Sequence, residues 1–101
     1  MNQIENITLM EQNLNDALAV LENFDKELEA YIAVQEKIDG LKAYYGSPAW
    51  WKDMADDEAG KLPSDLPRGV LSEDGIYNLL ADNEALIERM REFLYTDNKQ
   101  E

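Results

Sequence analysis

A heptad repeat runs through the first half of the chain and constrains its fold more than any other feature. With Ile7, Leu14, Leu21, Leu28, Gln35 and Lys42 at position a, position d is Met10, Ala17, Phe24, Tyr31, Ile38 and Tyr45. Ten of these twelve positions are apolar, a coiled-coil-like seam that only a helix can present on one face. Leu18, Val20, Ile32, Val34 and Leu41 widen the stripe beyond a two-stranded seam, which suits packing against more than one helix. The pattern predicts a first helix over residues 2–45. It starts near Asn2, or one turn later at the capping box Thr8-Leu9-Met10-Glu11, and Gly46 is its C-cap. Asp39-Gly40 is the one place where a bend is expected.

Punctuation then divides the remainder. Ser47-Pro48 sets an N-cap before a proline at the first helical position, predicting a short helix over 48–59 that stops at Gly60. Pro63, Pro67 and Gly69 make residues 60–71 an irregular but ordered connection. Ser72 caps a last helix over 72–95, with Glu73 and Asp74 in its positive first turn and a hydrophobic staple between Leu71 and Ile76. Its inward stripe is Ile76, Leu79, Asn83, Leu86, Met90 and Phe93, backed by Leu80, Ile87 and Leu94, and residues 96–101 form a polar tail. The expectation is one all-α domain over 1–101, an elongated helical hairpin or bundle.

Length makes this an assembly question. A continuous helix over 2–45 spans roughly 65 Å, and the last helix roughly 35 Å. A compact chain of this size has a radius of gyration of about 13 Å. Three outcomes are open: the first helix breaks, the short helix caps the uncovered stretch, or a second chain covers it. A homodimer or a partner helix follows from the third.

Composition narrows the chemistry. The 101 residues include no cysteine and no histidine. Thiolate metal sites, cysteine nucleophiles, serine–histidine pairs and histidine-based zinc chemistry are therefore excluded. The chain carries a net charge of −13, spread along its length: nine acids against three bases in residues 1–45, five against three in 46–71, eight against three in 72–101. Such a field repels nucleic acid and anionic membranes and favours a basic protein partner, although acidity also serves plain solubility. No signal-peptide pattern or apolar run of about 18 residues occurs, so a cytoplasmic protein without membrane contact is expected.

The run Ala43-Tyr44-Tyr45-Gly46-Ser47, then Trp50 and Asp53, continues as Asp57-Glu58-Ala59-Gly60-Lys61-Leu62-Pro63-Ser64-Asp65-Leu66. It ends in Arg68-Gly69-Val70-Leu71-Ser72-Glu73-Asp74. This series resembles the bacterial family known as domain of unknown function 4298, over nearly the whole chain, with residues 68–74 as its most specific part. Pro67 departs from it, standing where a basic residue is expected. The resemblance implies a bacterial or phage-borne cytoplasmic helical protein of this length and carries no activity with it. WXG-type helical hairpins are set aside, because Trp50-Trp51-Lys52 contains no Trp-x-Gly.

Each candidate site has a bland counterpart. Asp53, Asp56, Asp57, Glu58, Asp65, Glu73 and Asp74 are acidic enough for a hard cation, but the spaced loop that calcium requires is missing, and solvated surface plus caps accounts for them. A paired-carboxylate glycosidase needs a cleft that so thin a domain does not offer. No enzymatic activity, metal or cofactor is expected. Arg68, between Pro67 and Gly69, reads as a bidentate clamp onto Asp53, Asp57 or Glu73, and second as a partner contact. Trp50 and Trp51 lie about 100° apart on a helix, so one is core and the other a candidate interface anchor, as with Tyr44 and Tyr45. Glu22, Glu29 and Glu36 recur every seven residues on the outer face of the first helix, a row that can imitate a phosphate backbone, interrupted by Lys26 and Lys37.

The leading expectation is a protein-interaction module contacting its partner through the first helix and residues 50–74, notably Tyr44, Trp50, Trp51, Arg68, Glu73 and Asp74. One rival is a small acidic inhibitor (an antitoxin, immunity protein or phage-borne nuclease blocker) that occludes a basic site. The other is a structural homodimer.

Overall fold

The computed structural model describes the backbone of residues 2–100 and the side chains of residues 2–96. The described residues form three α-helices, α1 (Gln3–Tyr44), α2 (Pro48–Glu58) and α3 (Gly75–Gln100), with a 3₁₀ turn at Gly69–Leu71 before α3. Among the described residues there is no strand, so the all-α expectation with a long first helix, a short central one and a C-terminal one holds.

α1 opens at Asn2. Its side-chain Oδ1 accepts from the Glu5 backbone amide at 2.8 Å, while its side-chain Nδ2 donates to the Glu5 carboxylate at 3.0 Å. This reciprocal pair satisfies an orphan donor of the first turn and pre-empts the later start. Thr8 instead turns its hydroxyl back onto the Ile4 carbonyl at 2.9 Å, as a serine or threonine inside a helix does. The helix passes through Gly40 unbroken and ends in a turn at Gly46, whose φ of +78° suits glycine.

α2 is bounded at both ends by the residues expected. Ser47 accepts from the Trp50 amide at 3.2 Å, and Pro48 occupies the first turn, where no amide donor is needed. At the other end Gly60 adopts φ +72°, the Gly60 amide reaches Asp57 O and the Lys61 amide reaches Asp56 O, both at 3.0 Å. That double closure is a Schellman motif, which satisfies the last carbonyls of the helix.

α3 begins three residues later than the sequence suggests. Ser72 does accept an amide, that of Gly75 at 3.0 Å, but it donates to the Gly69 carbonyl at 2.8 Å and so ties off the 3₁₀ turn. The first helical bond of α3 runs from the Asn78 amide to the Asp74 carbonyl. Gly75 is required here: a Cβ would stand 2.5 Å from the Gly69 carbonyl oxygen and 2.7 Å from the Ser72 hydroxyl. At its far end α3 continues to Gln100, through residues expected to be a tail; Glu101 lies outside the described residues.

The chain divides into two compact units, Met1–Lys37 and Ile38–Glu101. The only helix in unit 1 is the part of α1 up to Lys37, and a single helix has nothing within its unit to cover its apolar stripe. Unit 2 holds the core: Ile38, Trp50, Leu71 and Ile76 are buried, with Leu41, Tyr45, Met54, Leu62 and Leu80 half-buried. The stripe predicted for α3 is shifted. Ile76, Leu80, Asn83, Ile87 and Met90 are the covered positions, whereas Leu79, Leu86, Phe93 and Leu94 are exposed. The 3₁₀ turn packs against both α2 and the start of α3, so burial on α3 is deepest at Ile76.

Candidate interaction surface

Three contacts within unit 2 decide which of the predicted residues remain available. The first is made by Trp50. Its indole Nε1 donates to the Val70 carbonyl at 2.9 Å, and its ring meets Tyr45 edge-on at 5.0 Å between centroids. A buried indole needs an acceptor, and the 3₁₀ turn supplies one. Trp50 is therefore core, 6% exposed, and has almost no surface to offer a partner. Trp51 packs edge-on against Trp50 at 4.9 Å and is 61% exposed. The 100° step along α2 separates them as the helical geometry requires.

The second contact joins Tyr44 to α2. Its hydroxyl donates to Asp53 Oδ2 at 2.6 Å, bridging the end of α1 and the middle of α2 across the Gly46 turn. The hydrogen bond to Asp53 raises the Tyr44 pKa above its ordinary value, helped by partial burial and by the Asp53 charge, because a phenolate there would face a carboxylate. Tyr44 is half-buried and structurally committed, as is Tyr45.

The third contact is the Arg68 clamp. Its Nη1 donates to Asp57 Oδ1, its Nη2 to the Pro63 carbonyl, and its Nε to the Leu66 carbonyl at 3.2 Å. The guanidinium fork thus gathers three acceptors from α2 and the connection, a task that a lysine cannot perform. Of the three carboxylates expected as its partner, Asp57 is the one engaged. Asp56 is held differently, by Lys52 at 3.0 Å and Lys61 at 4.0 Å. The hydrogen bond to Asp56 and its charge raise the Lys52 pKa, with a smaller contribution from the Asp53 charge; desolvation opposes them.

Glu73 and Asp74 are exposed at the entrance to α3, where Asp74 contributes its backbone carbonyl to the first helical bond. Among the described residues, no group of three or more carboxylates is arranged to hold a metal ion, and no helix is long and apolar enough to cross a membrane.

In unit 1, Glu22, Glu29 and Glu36 are all exposed, and Glu22 pairs with Lys26 at 3.7 Å. The larger feature of this unit is apolar. Ile7, Met10, Leu14, Leu21 and Phe24 lie between 49% and 64% exposed, in unbroken a/d succession apart from the small Ala17. Leu18, Val20 and Ile32 add to them at 56% to 65%. This contiguous strip is the principal candidate surface, and the heptad register was the signal for it. What sequence reading missed were two groups that close unit 2, the Val70 carbonyl and Gly75, and the Asn2–Glu5 pair that caps α1 in unit 1. Only the last had a signal, an asparagine three residues ahead of a glutamate.

A family model described as Domain of unknown function (DUF4298) matches residues 7–93. The chain belongs to that family. The match takes in the unit 1 seam from Ile7 onward together with α2, the 3₁₀ turn and α3 as far as Phe93, so both the strip and the core lie inside it. No curated protein and no solved structure matches the chain.

Proposed function

We propose that this protein is a non-enzymatic, acidic, helical protein-interaction module whose contact surface is the apolar seam of unit 1. The observation that carries this reading is the exposure of Ile7, Met10, Leu14, Leu21 and Phe24 on a helix that has no neighbour in its own unit. Leaving such large side chains in water forfeits roughly 1.5–3 kcal/mol for each one that could be buried. A contiguous strip of this kind is the usual mark of an interaction site. The lack of histidine and cysteine supports a role without catalysis, and the lack of cysteine fits a reducing compartment such as the cytoplasm. In unit 2, Trp51 is a second, separate anchor of the type that interfaces favour.

The test is co-precipitation of the tagged full-length chain from the lysate of its host cell, at low and moderate salt, against a Leu14→Asp, Leu21→Asp variant. Trp50→Ala is unsuitable as a control, since it removes the centre of the unit 2 core. One partner retained by the wild type and lost from the variant supports the module. A partner retained equally by both overturns the assignment of the seam. Recovery of the chain alone, in a dimer that the variant dissolves, replaces the module with a structural homodimer.

A further inference from the structure

Three of the eight acids of unit 1 border its apolar seam; the other five, Glu5, Asp16, Glu22, Glu29 and Glu36, lie at the outer positions b, c and f. In the register that puts Ile7 at a, the positions bordering the seam are e and g. Within unit 1 their charged members are Glu11, Asp25 and Glu27, all exposed, and every other e or g residue is apolar or an amide. No base stands on either flank. The two bases of the unit lie elsewhere: Lys26 at f, nearly opposite the seam and paired with Glu22, and Lys37 at c.

This arrangement discriminates between occupants. In a parallel coiled coil e faces g of the neighbouring helix, and in an antiparallel one like positions face each other. Either way, a second copy of this chain brings only acids, amides or apolar groups to the flanks. It also brings its own eight acids and two bases in the same stretch, and so adds repulsion without one compensating pair. A helix with lysine or arginine on its flanks meets the opposite situation. Resting on the interaction-module reading, we infer that the seam of unit 1 takes an amphipathic helix of another protein, apolar along its contact stripe and basic at the positions facing Glu11, Asp25 and Glu27.

The probes are three synthetic peptides of about four heptads with the same leucine and isoleucine seam, carrying lysine, glutamine or glutamate at e and g. Each is titrated by fluorescence anisotropy into the full-length protein at low and moderate salt. Exposed ion pairs contribute roughly 1.5- to 5-fold each, so the lysine peptide binds about tenfold or more tighter than the glutamine peptide, and the glutamate peptide binds weakest. Added salt narrows the gap, and Leu14→Asp with Leu21→Asp abolishes binding of all three. Glu11→Lys, Asp25→Lys and Glu27→Lys together invert the preference. The equal charge change Glu22→Lys, Glu29→Lys and Glu36→Lys, on the outer face, preserves it.

Three results overturn the inference. If the outer-face triple costs as much as the flank triple, the attraction belongs to net charge and not to the seam. If the peptides bind with equal affinity and all depend on Leu14 and Leu21, the seam remains a helix-binding face but has no basic preference. If the chain alone sediments as a dimer that excludes every peptide, the occupant is a second copy.

Discussion

The two units of this chain carry apolar residues in similar abundance and use them in opposite ways. Unit 1 has a near-perfect heptad and almost nothing buried; unit 2 has a poorer pattern and holds every buried residue among those described. Periodicity makes a helix with one greasy face. A core needs chain reversals that bring faces together, and only the second unit has them, at Gly46, at Gly60 and at the 3₁₀ turn. Ile38 marks the change: it occupies a d position like Phe24 and Tyr31, yet it is buried, because it belongs to the unit in which the chain turns.

This contrast breaks first, and hardest, at Trp50. Trp50→Ala removes the largest core side chain and strands the Val70 carbonyl. It is expected to cost about 3–5 kcal/mol, enough to abolish the near-ultraviolet circular dichroism of unit 2. Gly75→Ala should cost about 1–3 kcal/mol in urea denaturation, since the new methyl meets a backbone carbonyl that cannot move without disturbing the 3₁₀ turn. An unchanged midpoint there would mean that the turn and α3 separate freely. Arg68→Ala removes the donors of three hydrogen bonds but leaves their acceptors partly solvated, with Asp57 at 23% exposure, so about 1–2 kcal/mol is expected. Arg68→Lys should recover little of it if the fork geometry matters.

A smaller effect concerns pH. Since Tyr44 titrates above the ordinary 10.0, the Tyr44–Asp53 contact contributes fully below pH 10 and is lost as pH rises through the higher folded-state value. The wild-type minus Tyr44→Phe difference in absorbance titration should show one tyrosine ionising late, and Asp53→Asn should bring it back towards 10. The smallest expected effect sharpens the comparison most. Leu21→Ala in unit 1 should shift the stability of the isolated chain by less than about 0.5 kcal/mol, against 2–5 for a buried leucine. A loss of core size at Leu21 would show that this face is already covered in solution.

Much of the candidate surface was legible from residue spacing alone, because a seam on a single helix is a property of local geometry. The separation of Trp50 from Trp51 was legible too, as a 100° step, but which of them turns inward was not. That choice belongs to the 3₁₀ turn, which presents the Val70 carbonyl to one indole. The Arg68 clamp was anticipated as a carboxylate pair; its other two acceptors are backbone carbonyls, which no side-chain pattern announces. The late start of α3 was hidden for the same reason. Ser72 can cap a helix or close a turn with one hydroxyl, and the Gly69 carbonyl decides between them.

What the sequence determined by itself was everything whose cause lies within a few residues. The helical character of α1, the Ser47-Pro48 start and Gly60 stop of α2, the acidic flanks of the seam, and the exclusion of histidine and cysteine chemistry are all of this kind. Tertiary structure alone decided which apolar residues are buried, which tryptophan is core and which carboxylate holds Arg68. Those outcomes depend on hydrogen-bond acceptors and packed surfaces brought together from residues 9 to 20 positions apart. Local propensity cannot encode such distances, whereas the closure of a core selects them.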